Sequence, residues 1–190
     1  MQSNNKGWDY GGNAQVSVDE ASQIIVACDV TVAANDKQQA APMAQLTVAH
    51  VEQAGIERPK DASGDAQAIP ATLDNGYYSA AAVEALETLG FDPYIATERE
   101  RHQGPQTEAP EMPATGQERM AAKVRTPEGK ALYARRKVIV EPVFGQIKEA
   151  RGFRRFLLRG LDAIRGEWRL VCLTHNLLKV WRYGSAQSAT

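Results

Sequence analysis

The amino-acid sequence predicts an α/β fold, a mixed sheet with flanking helices followed by C-terminal helices, and three observations lead there. A β-branched run, QIIVACDVTV at 23–32, follows a weakly alternating segment at 13–18. A short apolar run at 68–73 stops at an acid, with segments of helical period on either side of it. From residue 117 onward the pattern is helical. The chain has 190 residues, 43 % hydrophobic and 24 % charged, enough apolar material for one core of ordinary size.

Segments 13–18 and 23–32 are expected to pair as antiparallel strands around a turn at Asp19, Glu20, Ala21 and Ser22. Asn35 and Asp36 can cap a helix over 37–54, with Met43, Leu46 and Val51 on its apolar side and Gly55 at its end. The strand at 68–73 runs into Asp74-Asn75-Gly76. Ser79 caps the next helix, in which Val83, Leu86 and Leu89 share a face and Gly90 is the stop. A strand at 93–96 then returns parallel to the one at 68–73.

Residues 97–116 are rich in Pro, Glu, Gln and Gly, bury too little to order themselves, and read as a mobile loop. Residues 117–151 are expected to form a helix kinked or restarted at Pro142, whose ring removes one N–H. A last helix is expected over 162–183, with Ile164, Trp168, Val171, Leu177, Leu178 and Trp181 as its apolar side, ahead of a disordered tail at 185–190. This order matches most of a ribonuclease-H-like fold without its first strand, with 1–184 as one partial domain.

No apolar run approaches the roughly 18 residues that span a bilayer, and the opening residues lack the pattern of a signal peptide, so a cytoplasmic protein is expected. Cys28 and Cys172, far apart in sequence, make no disulfide framework and read as buried thiols in a reducing compartment. The net charge of −1 hides a division: from Gln117 onward there are 16 Lys and Arg against 6 Asp and Glu, and before it 6 against 17. A basic C-terminal half suits a polyanion such as DNA, and a solvated basic helix face is the plainer alternative.

Asp74 ends its strand where ligands of open α/β sheets gather, and Glu141 follows 67 residues later on a helix that can lie across the sheet. Carboxylates so placed can share two Mg2+ ions about 3.5–4 Å apart, which activate a water or a 3′-hydroxyl in phosphodiester chemistry. On spacing alone, a simple Asp-Asn-Gly turn is the commoner reading. The neighbouring residues add to this. ATLDNGYYS at 71–79 and YARRKVIVEPVFGQIK at 133–148, followed by Gly152-Phe153-Arg154-Arg155-Phe156 and Gly160-Leu161, closely resemble insertion-sequence DDE transposases with the Tyr-Arg-Glu-Lys signature, from about Trp8 to Trp181.

The resemblance makes Asp74 the second acid and Glu141 the third, both catalytic and metal-binding, and Lys148 the signature lysine. The arginine position holds Lys137 and the tyrosine position Ala134, with Tyr133 one residue earlier. Tyr133, Lys137, Glu141 and Lys148 recur at intervals of four, four and seven and would share a helix face. Tyr133, Arg136, Lys137, Lys148, Arg151, Arg154 and Arg155 are the expected DNA-binding residues. The family's first acid belongs on a strand upstream of Asn13, and Asp9, Asp19 and Asp29 are poor substitutes for it. The expectation is a truncated copy, inactive alone, whose intact relatives cleave and join transposon ends with two Mg2+ ions, and in which a homodimer is possible.

Lesser signals read structurally. Cys172 and His175 form half a zinc pattern without a second half, His50 and His102 read as surface residues, and Trp168 and Trp181 as core. Phe153 and Phe156 among Arg151, Arg154, Arg155 and Arg159 form either a DNA-tracking stretch or a solvated helix end. Two alternatives stay open beside the transposase reading: a non-catalytic DNA-binding remnant, and an unrelated structural or interaction protein.

Overall fold

A computed structural model describes residues 12–33, 35–97 and 115–187. The elements in order are β1 (Asn13–Val18), β2 (Ile25–Thr31), α1 (Ala40–Gln53), β3 (Ile69–Leu73), a 3-10 turn (Asn75–Tyr77), α2 (Ala80–Thr88), β4 (Phe91–Ile95), α3 (Gly116–Arg125), α4 (Pro127–Gly145), a π-helical turn (Gln146–Ala150) and α5 (Leu161–Gln187). Most of the segment read as a mobile loop, 98–114, lies outside the described residues, as do 188–190 of the expected tail. The fold is mixed α/β with two small sheets and flanking helices; the described strands do not form one continuous sheet. The chain divides into two units, one of residues 1–34, 46–54 and 137–190, the other of 35–45 and 55–136.

In the first unit β1 and β2 are antiparallel, from Asn13 opposite Thr31 to Ser17 opposite Ala27, with an irregularity at Ser17 and Val18. The turn is fixed as its residues suggest. The Asp19 carboxylate accepts from the Ser22 backbone N–H at 2.8 Å and its hydroxyl at 2.6 Å. Ile25, Val30, Val143, Ile147, Trp168 and Cys172 form the core, with Phe144, Phe153 and Phe156 packed against it. Side chains of α5 also hold the hairpin by its backbone: Trp168 Nε1 donates to Gln15 O at 3.2 Å, and His175 Nε2 lies 3.0 Å from Gln23 O. Burial holds the His175 imidazole below the ordinary histidine pKa, which favours its neutral form.

Cys28 and Cys172 meet between β2 and α5 as free thiols. A hydrogen bond between them lowers the pKa of Cys28 and raises that of Cys172, and burial raises the latter further.

Pro142 does not break its helix: α4 runs through it from Pro127 to Gly145. Proline takes from the helix the N–H that would bond the carbonyl four residues back, that of Val138. Here Gln23 Nε2 donates to Val138 O at 3.1 Å instead. Gln23 has the left-handed φ of 58° and is tied on all sides. Its carbonyl faces His175, and its side-chain oxygen accepts from Lys179 Nζ at 2.7 Å.

The break in the helical stretch falls instead at Thr126 and Pro127. Pro127 takes the first helical position, where a missing N–H costs nothing, and the Thr126 hydroxyl accepts from Gly129 N at 3.0 Å as an N-cap. Upstream, Thr115 and Glu118 cap α3 reciprocally.

In the second unit β3 and β4 are parallel, in register from Ile69 opposite Phe91 to Leu73 opposite Ile95. They are joined by α2, whose N-cap is Ser79 as its position predicts: its hydroxyl accepts from Ala82 N at 3.1 Å. Ala40, Ala44, Ala82, Leu86 and Ile95 are buried, so small α1 residues make its closest contacts, while Met43, Leu46 and Val51 are only partly covered. Lys123 ties α3 to β4 through the Asp92 carboxylate and Pro93 O, and sits 4.3 Å over the Tyr94 ring.

The last helix departs most from expectation. Ile164, Trp168 and Val171 face the core, but Leu177, Leu178 and Trp181 do not: Trp181 is 69 % exposed whereas Trp168 is 2 % exposed. The single apolar side read from the sequence is two opposite faces.

Candidate functional site

Asp74 closes β3 and caps the 3-10 turn that follows, its Oδ1 accepting from Asn75 N at 2.7 Å. Asn75 Nδ2 donates to Ala96 O at 3.2 Å, which joins the ends of the two parallel strands. The Asp-Asn-Gly turn is therefore real, and it also presents a carboxylate: the Asp74 side chain is 60 % exposed. Arg136 on α4 brings Nη1 to 3.5 Å from Asp74 Oδ2 and lies 5.4 Å over the Tyr133 ring. The Arg136 Nε is buried without a hydrogen-bond partner. An unpaired buried guanidinium N–H is costly, and its planar donors suit a phosphate or carboxylate better than a lysine does. Tyr133, Arg136 and Asp74 thus come together in one unit, where Arg136 pairs with Asp74. The sequence signal was the spacing of Tyr133 and Arg136, which differ by three.

Lys137, Glu141, Lys148, Arg151, Arg154 and Arg155 belong to the other unit. Glu141 and Lys137 are exposed on α4, and Lys148 places Nζ 5.4 Å over the Phe144 ring. Arg151 is engaged within the fold: Nη1 donates to Val171 O at 2.9 Å and Nη2 to the Thr174 hydroxyl. Arg154 pairs with Glu149, both exposed, and Arg155 and Arg159 are exposed on the same segment. Phe153 and Phe156 turn inward, with ring centroids 6.2 Å from that of Trp168, so they are core residues and offer no stacking platform. The stretch at 151–159 therefore anchors by its aromatics and points arginines outward. Asp29, weighed as an acid from the sequence, is paired with Arg165 at 3.0 Å.

Among the described residues no group of three or more His, Cys, Asp or Glu could hold an ion. Asp74 is paired with a guanidinium. Among the described residues no helix is long and apolar enough to cross a membrane.

Fold and residues together describe a mixed α/β chain whose helical C-terminal half carries outward-facing cations. Residues 98–181 match the family model described as a transposase DDE domain. That match covers less than half of the chain, includes Tyr133, Arg136, Glu141 and Lys148 and leaves out Asp74; it supports a DDE-type transposase. No curated protein and no solved structure matches the chain.

Proposed function

We propose that this chain is a DNA-handling part of an insertion-sequence DDE transposase with the Tyr-Arg-Glu-Lys signature, built on a ribonuclease-H-like fold. The observation that carries the reading is the coincidence of the transposase-domain match at 98–181 with the basic stretch whose aromatics pack, partly buried, against the core and whose arginines are exposed. The strand pairs support the fold: an antiparallel hairpin followed by a parallel pair joined through a helix is the order that such a fold requires.

Arg136, Lys137, Lys148, Arg154 and Arg155 act as phosphate contacts, with Tyr133 positioning Arg136 through its ring. Arg151 contributes by holding that segment against α5. Asp74 and Glu141 are the second and third acids, whose hard oxygens suit Mg2+. The chain by itself brings two such acids, one of them neutralised by Arg136. With DNA as partner, the reading places the protein in the bacterial cytoplasm.

The 190-residue chain is expected to bind unrelated duplex sequences with similar affinity and, in Mg2+ or Mn2+, to leave DNA carrying transposon ends uncut. An absence of DNA binding would favour the interaction-protein alternative. Specific cleavage that disappears in Asp74→Ala would show that the chain holds a complete site.

A further inference from the structure

Two attachments fix α5 along β2. Arg165 Nε donates to Val30 O at 3.1 Å near the end of the strand, and Asn176 pairs with the N–H and carbonyl of Ile25, at 2.9 and 2.8 Å, at its start. From Arg165 to Asn176 the helix rises about 16.5 Å, at about 1.5 Å per residue. From Val30 back to Ile25 the strand covers about the same 16.5 Å, at about 3.3 Å per residue. The two elements therefore run alongside one another in opposite directions, and the chain's two cysteines fall between the attachments. Cys28 is two residues from Val30 and shares its face of β2, and Cys172 is four residues after Trp168 and shares its face of α5. Cys172 is a core residue, Cys28 packs against the same core, and the two thiols are hydrogen-bonded to one another.

We propose that Cys28 and Cys172 are an oxidation site, at which a hydroperoxide converts the two thiols into a disulfide that ties β2 to α5. Cys28 is the half-buried member and meets the oxidant first, whereas Cys172 is 3 % exposed. The hydrogen bond from Cys172 and, to a lesser degree, the charge of Arg169 lower the Cys28 pKa against the opposing effect of burial, which favours the reactive thiolate. That thiolate attacks a peroxide oxygen and the O–O bond breaks. The departing hydroxide takes up the proton that Cys28 gave to solvent, leaving water and a sulfenic acid on Cys28. The Cys172 sulfur then attacks the Cys28 sulfur, the S–O bond breaks, and the second hydroxide leaves as water with the Cys172 proton. Two thiols are oxidised and one hydrogen peroxide is reduced to two waters. The attachments on either side hold the sulfurs together, so the second step precedes further oxidation of the sulfenic acid.

Treating the reduced full chain with a few equivalents of hydrogen peroxide tests this, with free thiols counted and peptides mapped by mass. Both thiols should disappear at one rate, and the Cys28 and Cys172 peptides should be joined, lighter by about 2 Da than the sum of the reduced pair. Dithiothreitol should restore both thiols. In Cys28→Ser the Cys172 thiol should be lost about tenfold more slowly or not at all, because the residue that meets peroxide first is gone. In Cys172→Ser a cyclic diketone should capture the sulfenic acid on Cys28. Thiols that survive peroxide in the folded chain and are lost only in urea overturn the proposal. So does a Cys28 that proceeds to sulfinic acid while Cys172 stays a thiol, or a disulfide that forms only between two chains.

Discussion

Replacing Trp168 with alanine is expected to unfold the first unit at far lower denaturant than the unchanged chain requires. The indole is 2 % exposed and stacks on Phe144 at 6.1 Å, with Phe153 and Phe156 around it. Truncating such a side chain costs about 3–5 kcal/mol, from lost transfer energy and the cavity left behind. Its Nε1 also satisfies Gln15 O, and leaving that carbonyl unpaired adds about 1–3 kcal/mol if no water enters. Trp168→Phe separates the two contributions, since it keeps an aromatic ring and removes the donor. Urea titration followed by circular dichroism measures both, and a midpoint unchanged in Trp168→Ala would mean that α5 is not seated on the hairpin as described.

Asn176→Ala is the second large effect, and it acts through hydrogen bonding. The Asn176 side chain accepts from Ile25 N at 2.9 Å and donates to Ile25 O at 2.8 Å, pairing with the start of β2 as a neighbouring strand would. Alanine leaves both backbone groups without their partner beside a buried Ile25, an expected loss of about 2–4 kcal/mol. Asn176→Asp should recover only the accepting half. Hydrogen exchange at the Ile25 amide reports the contact directly: exchange accelerated in Asn176→Ala is the expected result, and unchanged protection contradicts it.

The features legible in the sequence were those with local causes. Ser79 caps α2 and Asp19 ties its turn because both act on backbone within a few residues. The parallel return from β3 to β4 followed from a strand, helix and strand in succession. That the helix continues through Pro142 had no local signal, because the compensation is distant: the carbonyl that proline leaves open is met by Gln23, 115 residues away in sequence. The restart at Thr126-Pro127 had a local signal, a cap residue before a proline, that the periodicity of the surrounding helix obscured.

The two faces of α5 were not separable for a different reason. Apolar residues at 164, 168, 171, 177, 178 and 181 satisfy a helical period loosely, and only packing on β2 shows which of them face inward. At the candidate site, Asp74 and its turn were readable. The pairing of Arg136 with Asp74 was not, because it joins a helix to the end of a strand 62 residues earlier and has no local signal.

The outward-facing cations of the C-terminal half are expected to bind the phosphate backbone of DNA. Arg154 in particular can exchange an exposed pair with Glu149, worth little, for a phosphate. The direct measurement is the affinity for a duplex of arbitrary sequence as a function of salt, in the unchanged chain and in Arg154→Ala with Arg155→Ala. Log affinity is expected to fall linearly with log salt concentration, and the double substitution to flatten the slope by about two units, one for each phosphate contact removed. A slope unchanged by the double substitution would contradict the assignment and place the DNA on another surface.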